Sequence, residues 1–414
     1  MTALAAALGA VIGYIGAEVA DEAVFDRLLW PHRFYNSQSP ATTAKLALLM
    51  SMAGPLHGAA LAALDHFRDH GLYLGHQRGD MLGTSFFSNQ AIQYYYRSSL
   101  RPQVCSQAKE IRNGFWVHVL RFASGAVRPR MEKVESRSER VRAHRCFFTL
   151  HLEHCPGLEM AGDSVVVSER RPTFRTLLGI LISELSAIAV ATAAGLWHRF
   201  GASAGSDSPP LWLIGFLCIP LFLRLLAAAA TVRREELESP SLEERSGALP
   251  GFRDMVEVDC STIGFILITA PPGQIGTILQ FFRHYGHPKR ETRYDRIREI
   301  VCIAVVYAFV LYFPAGLLLL AWMNEPTQYL WLGHQVYCIL AMHLVRVCGW
   351  QGTGRTEERV AAALVRDKTV YIEGDSCYVK ATLVTETVQS VAAGKEMLSS
   401  ILRANSALLP GHQP

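Results

Sequence analysis

Charge is scarce in this chain: Asp, Glu, Lys and Arg make up 18% of its 414 residues, against about 25% in soluble domains. Nor is one sign in excess, since 40 Lys and Arg face 36 Asp and Glu for a net +4. That balance argues against a nucleic-acid binder, whose basic surface dominates the count. There is no CxxC pair, which removes zinc-ribbon and thioredoxin-like readings. No Asn-x-Ser/Thr sequon occurs, and the Gly352, Gly354 doublet lacks the rest of a dinucleotide fingerprint. Residues 1–20 hold no Lys or Arg, so a cleaved secretory signal with a charged n-region is not expected.

What the chain has instead is apolar residues, half of the total, gathered in runs long enough to cross about 30 Å of hydrocarbon. Four runs read clearly as spans: Thr176 to Trp197, Leu211 to Ala230, Ile300 to Trp322 and Tyr329 to Cys348. Ala3 to Ala20 and Leu46 to Leu64 are weaker, the second carrying Gly54, Pro55 and His57 inside it. Trp197, Trp212, Trp322, Trp331 and Trp350 fall near the ends, where indoles favour the headgroup layer. The expected fold class is thus a mainly α membrane protein, a polytopic bundle of about six transmembrane helices with a cytoplasmic α/β portion.

Basic residues orient the bundle. Thirty-four lie in residues 65–175, 231–299 and the tail from Gly349, and four on the other side: Arg27, Arg33, Lys45 and Arg199. The positive-inside bias places both long loops and the C-terminus in the cytoplasm, with both termini inside if all six spans cross. The chain then divides into an N-terminal transmembrane hairpin (1–64), a cytoplasmic loop (65–175), a hairpin (176–230), a second loop (231–299), a third hairpin (300–348) and a cytoplasmic α/β tail (349–414). Strand patterns occur at Cys146 to Glu153, Ser164 to Ser168, Met255 to Asp259, Lys368 to Glu373 and Tyr378 to Thr385, the last two forming a hairpin. Helices are expected at Thr356 to Arg366 and Val388 to Leu402. Both loops and the tail together could build one small α/β domain. The uncharged stretch Thr262 to Phe282 reads as strand, Pro-Gly turn and helix, with a re-entrant pair of half-helices as the rival.

Two groups of residues carry candidate chemistry. The first is an intramembrane polar layer. Glu184 and Arg224 each lie nine positions inward from a cytoplasmic end, at Arg175 and Arg233, a depth of roughly 13 Å. His57 and His343 come to a similar level, eight positions inward. Ionisable groups at that depth need partners, so the layer is either a substrate or proton site or an interhelical ion pair. The second is three histidine pairs among the fifteen histidines: His66 with His70, His151 with His154, and His284 with His287. Four-apart histidines share a helix face and can ligate iron or zinc.

Three pairs flanking membrane hairpins loosely resemble the histidine boxes of membrane fatty-acid desaturases and hydroxylases. Cys155 and Pro288 stand here where those boxes double a histidine. The resemblance implies an iron-dependent oxidoreductase acting on lipid-like substrates. The leading expectation is a multi-pass membrane protein with a binding, transport or accessory role facing the cytoplasm. Its partner is the lipid bilayer, with anionic lipid possible at Arg128 to Arg145, where seven basic residues meet three acidic ones.

Overall fold

The structure is a computed structural model. It describes residues 2–20, 24–35, 40–69, 92–97, 108–111, 115–127, 145–155, 166–167, 172–201, 211–233, 253–260, 263–272, 274, 291–348, 356–373, 378–388 and 390–407. In chain order the helices are α1 (Thr2–Val19), α2 (Val24–Leu29), α3 (Pro31–Tyr35), α4 (Pro40–Leu49), α5 (His57–Asp69), α6 (Phe115–Val127), α7 (Phe174–Gly201), α8 (Leu211–Leu217), α9 (Ile219–Ala229), α10 (Arg293–Leu320), α11 (Glu325–Val347), α12 (Thr356–Asp367) and α13 (Val391–Ala407). The strands are β1 (Gln93–Arg97), β2 (Lys109–Glu110), β3 (Arg145–Cys155), β4 (Val166–Val167), β5 (Asp254–Cys260), β6 (Gly264–Ala270), β7 (Thr369–Glu373) and β8 (Tyr378–Val388). Two compact units result. One comprises Met1–Gly83, Arg170–Arg233 and Pro288–Arg355; the other comprises Thr84–Glu169, Arg234–His287 and Thr356–Pro414.

The first unit is helical. Three of its segments are long and apolar enough to cross a membrane: Phe174–Ala193, Trp212–Ala229 and Arg293–Leu320. The second of these runs through α8 and α9, which part at Cys218. Pro220 has no N–H to offer the carbonyl of Phe216, so the helical ladder loses a bond there. α10 starts at Arg293, earlier than the apolar run from Ile300 implies. Thr292 caps it, with Asp295 closing the capping box, and Arg233 grips the Asp295 carboxylate through two bonds of 2.8 and 2.9 Å. α11 is 23 residues long, but it carries Gln328, His334, Gln335, His343 and Arg346. These keep it out of the set of apolar segments, although a clear span was expected from Tyr329 to Cys348. Another expectation fails at Trp331, which is not an interfacial indole. It is buried between Phe313, at a centroid distance of 5.8 Å, and the bare Cα of Gly316.

The largest departure concerns Leu46 to Leu64, expected as one span. It is two helices, α4 and α5, separated by the non-helical and wholly buried stretch Met50 to Leu56. Pro55 and Gly54 are the cause, one lacking an amide proton and the other a side chain that would favour the helix. α1 packs against this break and against α10 and α11 through small residues. A Cβ on Gly13 would stand 2.5 Å from the Phe313 ring, and one on Gly16 would stand 2.2 Å from Pro55. Gly9 meets Trp331 and Gly16 meets Ile339, so α1 runs parallel to α11, and the Arg346 guanidinium donates to the Glu18 carbonyl at 3.0 Å. The start of α1 therefore lies at the end of the bundle opposite the C-terminal end of α11.

The second unit is an eight-stranded mixed sheet in the order β2-β1-β5-β6-β3-β8-β7-β4. β3 occupies its middle, parallel to β6 on one side and antiparallel to β8 on the other. Alternation drives the burial. Phe148, Leu150 and Leu152 of β3 join the core under α6 and α12, while Phe147 faces the opposite layer with Met397 and Leu398 of α13. β7 and β8 pair antiparallel as a hairpin. Residues 264–270, where half-helices were the rival expectation, form β6 in the sheet interior, and the Gln274 N–H closes a turn on the Pro271 carbonyl at 3.1 Å. The rest of Thr262 to Phe282, apart from Ile263, Pro271, Pro272 and Gln274, lies outside the described residues.

Candidate functional site

A broken helix inside a packed bundle exposes backbone groups that water cannot reach, and each left unpaired costs about 1–3 kcal/mol. The Met50 to Leu56 break is answered group by group. Tyr337 donates its hydroxyl to the Leu48 carbonyl at 2.6 Å, closing the last turn of α4. Arg224 Nη1 donates to the Met50 carbonyl at 3.2 Å. The Met52 N–H donates to Glu184 Oε1 at 2.9 Å, and the Ser51 hydroxyl donates to Glu184 Oε2 at 2.9 Å. The Ala53 N–H turns back on Ser51 Oγ at 3.2 Å, and Gln335 Nε2 donates to the Ala53 carbonyl at 3.2 Å. Leu56 donates its N–H to the Gly54 carbonyl at 2.9 Å. Three helices, α7, α9 and α11, thus supply the hydrogen bonds that the break has lost.

Glu184 and Arg224 are the centre of that arrangement. They form an ion pair at 2.5 Å with side-chain exposures of 2% and 1%. Arg224 also donates to Ser183 Oγ at 2.7 Å and, through Nη2, to the Tyr35 hydroxyl at 3.1 Å. Tyr35 reaches this point because Gly179 on α7 leaves room for its ring. The Glu184 carboxylate accepts from three donors, whereas Arg224 Nε has no hydrogen-bond partner among the described residues. A cavity of about 40 Å³ adjoins the pair, bordered by Arg224, Arg27 and Ser51.

The other expected members of the polar layer lie elsewhere. His57 begins α5 with its ring stacked on Phe313, at a centroid distance of 5.8 Å and 13° between planes. His343 is half-buried on α11, and neither imidazole hydrogen-bonds to Glu184 or Arg224. Sequence reasoning did not single out Ser51, Ser183, Tyr35, Gln335 or Tyr337. The signal for them was the Gly-Pro interruption itself, since a break at depth requires polar side chains on its neighbours.

The histidine pairs do not assemble among the described residues. His151 and His154 stand on β3 at odd spacing and so project from opposite sheet faces, which prevents them from sharing an ion. His151 Nδ1 shares a hydrogen bond with the Thr269 hydroxyl at 2.6 Å and lies 3.3 Å from Arg253 Nη1. Burial, and then the Arg253 charge, hold its pKa below the ordinary 6.5. The His154 N–H donates to Gln274 Oε1 at 3.0 Å. His66 belongs to α5, but its side chain is outside the description, as are His70, His284 and His287. Among the described residues no three His, Cys, Asp or Glu side chains come together as a metal site. Arg128 to Arg145 also lies outside the described residues except for Arg145, the first residue of β3. Compared with known proteins, the chain matches no family model, no curated protein and no solved structure.

Proposed function

We propose that this chain is a multi-pass integral membrane protein with a binding or transport role, and that its working element is the broken helix Met50 to Leu56. The observation that carries the reading is irregular backbone, fully buried among apolar helices and satisfied by side chains from three of them. Membrane proteins tolerate such backbone where it is covered by protein or lines a cavity, and transporters use it to bind ligands. The exterior of the helical unit supports the bilayer as solvent. Nearly all exposed large apolar side chains among the described residues belong to it, including Phe222, Leu311, Leu318 and Leu340; only Val384 and Val391 belong to the sheet unit.

Strand pairing supports the topology by parity. β3, β6 and β8 are sheet neighbours, so they occupy one side of any membrane the helices cross. The chain between β3 and β6 then crosses an even number of times, through α7 and α8–α9. Between β6 and β8 it does likewise, so α11 returns what α10 carries across, with Gln328, His334 and Gln335 buried in the bundle. α5 begins beside Phe313 and packs along α10 back past α2, whose Phe25 meets Phe309. On this reading α4 and α5 enter and leave from one face as a re-entrant pair. α1 then crosses alone, with the N-terminus outside and the C-terminus cytoplasmic.

Cysteine scanning in sealed right-side-out and inverted vesicles tests the reading. Single cysteines at positions 41 and 65, exposed at the outer ends of α4 and α5, are expected to react with a water-soluble maleimide from the cytoplasmic face only. The protein is also expected to stay in the pellet after alkaline carbonate extraction. Release by carbonate, or equal labelling from both faces, would sink the proposal.

A further inference from the structure

The cavity beside the ion pair has a composition that selects a ligand class. Its apolar lining comes from Val19, Val24, Leu49, Met52, Met342 and Val345, and its polar side from Arg27, Arg224 and Ser51. Donors are in surplus there. Glu184 already accepts three hydrogen bonds of the roughly four a carboxylate can take, whereas Arg224 keeps Nε–H without a partner on the edge it shares with Nη2. That edge of a guanidinium is a planar fork matched to the two oxygens of a carboxylate. A volume of about 40 Å³ holds about three waters. A carboxylate head fits the same space only if the remainder of the molecule lies along the apolar side.

We infer that this cavity binds a carboxylate carrying an apolar chain, its head on the Nε edge of Arg224 and its chain against Val24, Met342 and Val345. The inference rests on the membrane reading above and adds the ligand class. Two sources share the chemistry: a short-chain carboxylate from water and a fatty acid from the bilayer. No bond is made or broken: the Ser51 hydroxyl is tied to Glu184 and to the Ala53 N–H.

The test uses the purified full-length chain in detergent micelles and reads thermal unfolding against added butyrate, octanoate or oleate, with butyramide and octanol as uncharged controls. At least one carboxylate should give a saturable rise in Tm that the uncharged controls do not reproduce. Response to butyrate alone assigns the aqueous source, and response to octanoate or oleate assigns the bilayer. Arg224→Met endangers the fold, so the informative variants are Val24→Phe and Val345→Phe, which fill the cavity without touching the ion pair. Each should unfold within a few degrees of wild type and lose at least tenfold in carboxylate affinity. Absence of any carboxylate effect, equal effects from the uncharged controls, or full binding by both filled variants would overturn the inference. If positions 41 and 65 are labelled from the cytoplasmic face alone while no carboxylate binds, the ligand class alone has failed. If carbonate also releases the protein, the membrane reading has failed with it.

Discussion

At the scale of single residues, Glu184 and Arg224 hold one another and the broken backbone at once, which sets how their removal will read out. Glu184→Gln or Arg224→Met leaves an uncompensated charge in low dielectric, a loss of about 3–5 kcal/mol. In a bundle whose pair only fixed packing, the double variant would return close to wild type. Here it still strands the Met50 carbonyl and leaves one side-chain oxygen where Met52 and Ser51 had two, the other position becoming an NH2 donor. Its expected loss is therefore smaller than the sum of the two singles yet still at least about 1–3 kcal/mol. A double-mutant cycle by denaturant unfolding in micelles reads this, and a double variant as stable as wild type would remove the backbone role. The pair was accessible to depth arithmetic because charge in an apolar run is conspicuous. Ser51, Gln335 and Tyr337 were not, because hydroxyl and amide side chains in apolar runs have many uses.

His151 supplies a pH prediction in the sheet unit. Its folded pKa lies below the ordinary 6.5, chiefly through burial and then through Arg253. Between the folded value and about 6.5, the unfolded chain binds the extra proton, so stability falls as pH falls through that window. Above it both states are neutral at this site and the contribution vanishes. Amide protection factors of β3 and β6, corrected for the intrinsic exchange rate at each pH, should fall from about pH 7.5 to 5.5 in wild type and less steeply in His151→Gln. Equal slopes would show that another group governs the loss.

Among the elements, two backbone positions decide the sheet unit. Gly264 opens β6 at φ +127°, where a Cβ would stand 2.3 Å from the Cys146 carbonyl oxygen of β3. Gly264→Ala therefore strains the backbone and pushes apart the central parallel pair. A loss of at least about 2 kcal/mol is expected from a left-handed penalty of about 1–2 kcal/mol per residue with the clash added. Lys368, between α12 and β7, holds φ 63° while its N–H caps the Leu364 carbonyl at 3.0 Å. It occupies the site where glycine commonly ends a helix, so Lys368→Gly should raise stability by about 0.5–1 kcal/mol. Chemical denaturation of both variants checks the pair, and a destabilised Lys368→Gly would show that its side chain contributes more than the backbone strain costs.

The strands β3, β5, β7 and β8 were legible because each alternates between two faces or is bounded by turn residues. β1, β2 and α6 were not: Gln93–Arg97 is too short and tyrosine-rich to show a clear period, and its place is set by pairing with β5 from another stretch of chain. The α4–α5 break was visible as Gly54 and Pro55, but composition alone cannot say whether a helix bends and continues or turns back. The close packing at Gly9, Gly13 and Gly16 is visible only in the structure, where each leaves room for a neighbouring side chain.

For the whole molecule, the proposed topology follows from the sheet's interlaced order and puts residues 65–175 and the tail on one side. Cys105 and Cys377, both outside the described residues, should label from the same face of sealed membranes, and labelling from opposite faces would contradict the proposed topology. The same interlacing sets a schedule for synthesis. β3 is made before both of its partners: β6 emerges after α7 to α9, and β8 only after α10 to α12 have followed. Until then its long hydrogen-bonding edges are open, the condition under which strands pair with the wrong chain. A nascent chain thus needs a chaperone or a slow collapse to shield β3 for more than two hundred residues of translation. A stop codon near residue 355 would leave that edge open for good. Such a truncated chain is expected to aggregate or be degraded even though every helix from α1 to α11 has been made.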